Sequence, residues 1–188
     1  NTAGQLDLYD PATNAGEITN EYLADRAAFL TWKNKLATED FDGTTGAYSK
    51  VPDAYFKDLG SNLLINLGSG GSLTDKPCDI FGADQASGAT ENLTGGSKAD
   101  RLYGGGGMDI LNGDAGADYL EGNSGDDSLT GGAGSDMLLG GDGNDTYIFN
   151  SGDGWDWIDD TDGLGQIRYG SDTLSGGAKL GDNLWQSA

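Results

Sequence analysis

Six aspartates, Asp100, Asp109, Asp118, Asp127, Asp136 and Asp145, stand nine residues apart, and each is followed two places later by a large apolar residue. Those partners are Leu102, Leu111, Leu120, Leu129, Leu138 and Tyr147. A carboxylate repeated at a fixed interval is a hard oxygen donor repeated at a fixed interval, and its natural partner is a cation. The whole composition agrees, with 31 acidic against 10 basic residues and a formal charge of −21. Such a charge opposes binding to nucleic acid or to an anionic membrane surface. The chain has no histidine, which removes the Ser-His-Asp triad, the Cys-His pair, the HExxH site and His-ligated zinc together. Cys78 is the single cysteine, so no internal disulfide and no cysteine cluster for a metal is available. No run approaches the ~18 consecutive apolar residues of a membrane span. The chain opens at Asn1 without an initiating methionine or a charged-then-apolar signal segment, and reads as a piece of a longer protein.

Cut every nine residues from Gly95, the sequence falls into GGSKADRLY, GGGGMDILN, GDAGADYLE, GNSGDDSLT, GGAGSDMLL and GGDGNDTYI. Weaker copies flank the run: ASGATENLT (86–94), with Glu91 and Leu93 in phase, and SGDGWDWID (151–159), displaced by the insertion Phe149-Asn150. Glycine-rich sequence sustains neither a helix nor a strand interior, so the first six residues of each block read as a turn and the last three as a short strand. Alternation along that strand turns Leu102 through Tyr147 inward and Arg101, Asn112, Glu121 and Thr130 outward.

The blocks resemble the calcium-binding nonapeptide G-G-x-G-x-D-x-U-x of the RTX family, bacterial proteins exported by type I secretion. The strong resemblance covers the six blocks from residue 95 to residue 148. It implies a mainly β fold, a right-handed parallel β-roll in which two nonapeptides make one coil and Ca²⁺ sits in the glycine-rich turns. An interior one residue thick buries little apolar area, while ordering each residue costs about 1–2 kcal/mol of backbone entropy. Calcium, which takes about 6–8 oxygen ligands in flexible geometry, can close that gap.

With two blocks per coil, equivalent residues are eighteen apart in sequence. Asp100, Asp118 and Asp136 then stack along one edge and Asp109, Asp127 and Asp145 along the other. An ion between two stacked turns would take one carboxylate from each. The pairs 100/118, 109/127, 118/136 and 127/145 give four strong sites, with 91/109 and a shifted 136/156 as weaker ones, hence about four to six ions. Asp156 joins the ligand set through that last pair. The resemblance supplies the other ligands as main-chain oxygens of the first four residues of each block: Gly105, Gly107, Asp114, Gly116, Asn123, Gly125, Gly132, Gly134, Gly141 and Gly143. Gly96, Gly105, Asp114, Asn123, Gly132 and Gly141 share the second position. Asp and Asn best tolerate φ > 0 there, so that position is expected to be left-handed. At the fourth position only Lys98 breaks the run of glycines, which weakens the first site. Between Gly95 and Gly163 fifteen acidic residues face two basic ones, so the chain is expected to be expanded without metal and compact with it.

The flanks differ in composition. Tyr22, Leu23, Phe29, Leu30 and Leu36 recur at helical spacing, with Thr19 or Asn20 as N-cap. AYFKDLGSNLLINL (54–67) reads as two strands turning at Leu59-Gly60-Ser61. These make residues 1–75 a small α+β unit closing the N-terminal end of the roll (76–150). Residues 151–188 are expected to form a short β C-terminal cap, with a strand at Gln166–Tyr169, a turn at Asp160, Asp162 and Gly163 for which an extra ion is the alternative reading, and Trp155, Trp157 and Trp185 covering the open end. Asp10-Pro11 has nothing around it to support calcium-triggered cleavage. The reading is a monomeric calcium-folded module, secreted or displayed at the bacterial cell surface, with the type I secretion machinery as partner by resemblance and no catalytic residues of its own. Two alternatives are an adhesin-like interaction module, hinted at by the outward Ile110, Tyr119, Met137, Leu139 and Ile148, and the C-terminal part of a secreted hydrolase or toxin.

Overall fold

The computed structural model describes residues 19–38, 54–67, 75–83, 90–174, 178–181 and 184–186. The apolar residue that recurs in every block makes a strand of each block, and eighteen-residue stacking makes two sheets of the strands. One sheet contains β1 (Ala54–Asp58), β2 (Leu63–Leu67), β3 (Cys78–Phe81), β5 (Arg101–Gly106), β7 (Tyr119–Ser124), β10 (Met137–Asp142) and β12 (Trp157–Asp159). The other contains β4 (Asn92–Gly96), β6 (Ile110–Gly116), β8 (Ser128–Thr130), β11 (Thr146–Phe149), β13 (Gln166–Tyr169) and β14 (Asp172–Leu174), with β9 (Ala133–Gly134) beside β6. The strands from β3 to β13 pair in parallel, and the chain alternates between the sheets, giving a β-solenoid of about five turns. Beyond β14, β15 (Ala178–Gly181) and β16 (Leu184–Gln186) pair with each other.

In the ladder Leu102 pairs with Leu120 and Leu120 with Leu138, while Leu111 pairs with Leu129 and Leu129 with Tyr147. Together with Ile80 and Leu93 these side chains form one column of buried residues between the sheets, and Ile158 and Ile167 pack against it. The strands are longer than three residues, however. β5, β7 and β10 run on through the glycines, where Gly105 pairs with Asn123 and Asn123 with Gly141. The glycine-rich positions are therefore not simple turns. Coils stacked in register let each turn satisfy its backbone groups on the next turn.

A second, conventional core lies on the outer face of the first sheet, beneath α1 (Asn20–Thr38). The hydroxyl of Thr19 accepts the Tyr22 N–H at 3.1 Å, which makes Thr19 the N-cap. The same hydroxyl donates to Glu121 at 2.8 Å. Further along the helix, Tyr22 meets Phe81 and Tyr103 edge-on, Asp25 pairs with Arg101, Arg26 pairs with Asp58, and Phe29 lies against Phe56 and Phe81. From Thr19 on β7 to Phe29 on β1 the helix advances about 15 Å, the width of three strand spacings of ~4.8 Å. It therefore crosses the strands along the stacking direction and ties the first coils together from outside.

This packing corrects three expectations. Glu121 points away from the roll but is buried, because α1 covers it and Thr19, Tyr119 and Asn123 all donate to its carboxylate. Leu23 and Leu30 lie on the exposed side of α1, whose packed face is Tyr22, Asp25, Arg26 and Phe29; the Leu36 side chain lies outside those described. Trp155 is 90% exposed and Trp157 52%, so neither covers the end of the roll. Trp157 alternates with the inward Ile158, and Trp155 follows a turn glycine. The Trp185 side chain and Asp10-Pro11 lie outside the described residues. Of the outward apolar set, Tyr119 and Leu139 join the core under α1, while Ile110 and Met137 stay exposed. The hairpin does form, with β1 antiparallel to β2 across Leu59–Asn62, and β1 continues the roll's parallel ladder onto β3.

Phe29 is fully buried at the junction of α1, β1 and β3. Phe29→Ala is expected to cost about 3–5 kcal/mol of helix docking. Hydrogen exchange should then show α1 amides losing protection while the amides of β7 and β10 keep theirs.

Candidate metal centre

The aspartates occupy the two edges where the chain passes from one sheet to the other. Each sits one residue ahead of a strand, and the parallel ladder fixes its height. The main-chain N–H of Asp100 donates to Asp118 Oδ1 at 2.8 Å, and that of Asp118 to Asp136 Oδ1 at 2.9 Å. On the opposite edge the N–H of Asp109 donates to Asp127 Oδ1 at 2.7 Å, and that of Asp127 to Asp145 Oδ1 at 2.9 Å. The weaker copies join the same columns. Glu91 donates to Asp109 at 2.8 Å, and Asp136 donates to Asp156 at 2.9 Å across a spacing of twenty residues. One member was not visible in the repeat: Cys78 stands in the aspartate place below Asp100, its N–H donating to Oδ1 at 2.7 Å. Burial, and then the Asp100 charge, push its thiol up to about 12, so it stays a protonated, unreactive packing group.

The second carboxylate oxygen behaves differently. Oδ2 of Asp100, Asp109, Asp118, Asp127, Asp136 and Asp145 is buried and has no hydrogen-bond partner. A buried ionised oxygen without a donor is among the costliest groups a fold can hold. Each also faces a first-position glycine. A β-carbon on Gly113 would lie 2.4 Å from Asp118 Oδ2 and 2.5 Å from the Gly131 carbonyl oxygen, and one on Gly122 would lie 2.3 Å from Asp127 Oδ2 and 2.6 Å from the Gly140 oxygen. These glycines are required by space, since a carboxylate oxygen and a main-chain carbonyl converge on the Cα. Second-position residues are required by conformation instead: Gly105, Asp114, Asn123, Gly132 and Gly141 have φ between 69° and 102°, the left-handed region expected for them. Gly96, in the first block, departs from that expectation: it ends β4 and is not left-handed.

At the fourth position the glycine stacks on the carbonyl of the turn before it. A β-carbon on Gly125 would lie 1.4 Å from the Gly107 oxygen, and one on Gly116 would lie 2.2 Å from the Lys98 oxygen. Lys98, the one fourth-position residue of the six blocks with a side chain, supplies the carbonyl on which Gly116 stacks. Among the described residues no three Asp, Glu or Cys side chains converge on one point. A cation between two turns would therefore meet two carboxylates at most and draw its other donors from the carbonyls, a set of hard oxygens that fits calcium and excludes soft metals.

The electrostatics carry the same signature. Burial first, and then the neighbouring carboxylates against the opposing N–H bonds, raise Asp109 and Asp136 to about 6, Asp118 and Asp145 to about 7 and Asp127 to about 8. All five shifts run in the direction that disfavours the ionised carboxylates of the cation-free fold.

Parallel coils, an apolar residue and a carboxylate in each half-coil, and carbonyl-lined glycine turns define a calcium-binding β-solenoid. The family model for the RTX calcium-binding nonapeptide repeat (4 copies) matches residues 85–120, 112–147 and 121–156. Residues 85–156 thus carry RTX calcium-binding nonapeptide repeats, which form a structural, calcium-binding β-roll module. Comparison with curated proteins and with solved structures returns no significant match. Among the described residues no helix is long and apolar enough to cross a membrane.

Two outcomes are expected. Gly113→Ala, at an ordinary φ, should raise the calcium needed for folding several-fold by crowding Asp118, whereas Gly152→Ala meets nothing within 4 Å and is strained only by its φ of 102°; calcium titrations followed by circular dichroism would check this. The second concerns pH. The folded carboxyls titrate above their unfolded value of about 3.9, so without a cation the fold binds more protons than the unfolded chain. Its stability is highest at low pH and falls as pH rises from about 4 through the range of those groups. Calcium-free chain should show more β-signal at pH 4.5 than at pH 8, and added calcium should abolish the difference.

Proposed function

We propose that this chain is a calcium-folded module of a larger bacterial protein exported by type I secretion, unfolded where calcium is scarce and folded outside the cell. Six buried carboxylate oxygens without partners, repeated at the fold's own period, support this reading. The strong positions are the pairs Asp100/Asp118, Asp109/Asp127, Asp118/Asp136 and Asp127/Asp145, with Glu91/Asp109 and Asp136/Asp156 as weaker ones, giving four to six ions. Asp100, Asp109, Asp118, Asp127, Asp136, Asp145 and Asp156 supply carboxylates. The carbonyls of the first four residues in each block complete the coordination. Calcium binding supplies counter-charge to the buried columns at neutral pH, so binding and folding are one event.

An unfolded, strongly acidic chain can be threaded outward, and folding at millimolar calcium then opposes its return. Far-UV circular dichroism tests the coupling: a disordered chain in chelator, cooperative recovery of β-structure in calcium, and none in magnesium, which demands tight octahedral geometry and keeps its waters. Equal β-content with and without calcium at neutral pH would sink it. The sites should also rank. Asp127→Ala touches two strong pairs and Asp100→Ala one, so the calcium midpoint should move roughly tenfold further for Asp127→Ala, a difference of about 1.4 kcal/mol.

A further inference from the structure

Beyond the matched repeats, the second edge has one more turn, formed by residues 160–165. Thr146 pairs with Gln166 and Tyr147 with Ile167 in the ladder, a spacing of twenty. Gln166 donates to the Asp145 carbonyl at 2.8 Å, as Thr146 donates to the Asp127 carbonyl at 2.7 Å. By this register Gly165 stands in the aspartate place above Asp145, and Asp160 stands in the first-glycine place above Gly140. The two residue types have changed places.

The exchange leaves the carboxylate where the repeat needs it. In the regular turn a β-carbon on Gly140 would lie 2.1 Å from Asp145 Oδ2; in the last turn one on Gly165 would lie 2.4 Å from Asp160 Oδ2. In both turns a carboxylate oxygen enters the space between first and sixth positions, delivered from the sixth in one and from the first, where it accepts the Gly165 N–H, in the other. The Tyr147 side chain lies between the two turns, its hydroxyl 2.3 Å from a β-carbon on Gly140 and its Cε2 2.8 Å from one on Gly165. An aspartate at 165 is excluded while Asp160 and Tyr147 are present, since its β-carbon would strike the carboxylate oxygen and the Tyr147 ring.

Asp160 is held by the N–H groups of Gly163 at 3.2 Å and Gly165 at 2.8 Å, one on each oxygen, which leaves lone pairs for a cation. Asp162 is committed to the turn, accepting Gly143 N–H and Leu164 N–H, each at 2.9 Å. Beneath them Asp145 is fully buried and its Oδ2 has no partner. We infer that this turn holds a further calcium ion between the carboxylates of Asp145 and Asp160, with main-chain carbonyls of the two turns completing the set. Asp145 is then shared between two ions, like the aspartates below it.

This inference rests on the calcium reading above, and ion counting separates the two. Native mass spectrometry of the full chain in calcium should show one ion fewer for Asp160→Asn than for the unaltered chain. The triple exchange Asp160→Gly, Gly165→Asp and Tyr147→Leu restores the ordinary residues of the repeat, the last because the Tyr147 ring would lie 2.8 Å from a β-carbon at 165, and it should restore the lost ion. An unchanged count for Asp160→Asn would overturn the inference and leave the calcium module standing, whereas an unaltered chain that takes up no calcium would end both. If Asp160→Asn does not fold, the triple exchange decides: the full count supports the site, and one ion fewer removes it.

Discussion

Everything in this molecule follows from burying two columns of like charge. Each aspartate gives one oxygen to the main-chain N–H of the turn before it, which fixes the coil height, and keeps the other buried without a donor. The glycines serve that arrangement. A β-carbon at the first position would displace the free oxygen, and one at the fourth would displace the carbonyl stacked beside it. The turns are therefore narrow because the carboxylates must come close, and the interior is narrow because the turns are. A core one side chain thick buries little apolar area against that charge, which is the physical ground for the proposed coupling of folding to calcium.

The N-terminal coils show what replaces that arrangement when the carboxylates stop. Below Asp100 the column ends in Cys78, and below Asp109 in Glu91, whose side chain turns to the N–H of Ala83 at 2.6 Å. At the same height the first sheet acquires β1, β2 and the helix, with Phe29, Phe56, Phe81 and Tyr103 packed between them. Hydrophobic burial takes over where electrostatics runs out. The helix crosses the strands instead of lying along them, and so reaches β7 and braces coils already within the aspartate columns.

The period of nine was enough to place the strands, the inward residues and the stacked partners, because a parallel coil has only one register that keeps both Leu and Asp in column. It also placed the left-handed second position, through Asp114 and Asn123. It could not show that the ladder runs through the glycines, since propensity describes an isolated residue and the pairing comes from the neighbouring coil. Glu121 looked solvated for a similar reason: its burial comes from a helix a hundred residues away in sequence. Trp155 and Trp157 looked like a cap because bulk and position suggested one, yet their strand alternation and the turn point them to solvent.

The same distinction between count and register governs the last coil. Phe149 and Asn150 lengthen a single half-coil, after which Met137 pairs with Trp157 and Thr146 with Gln166, both twenty apart. One insertion shifts every later residue by two, and the parallel ladder absorbs it without losing step. A search for the next aspartate nine residues on therefore looks in the wrong place, and a search for aspartate at the sixth position finds Gly165. What the ladder conserves is neither the count nor the residue at a given position, but one carboxylate oxygen between the first and sixth places of each turn. Asp160 meets that requirement from the opposite side, so the column is defined by the location of charge and only secondarily by the motif that usually delivers it.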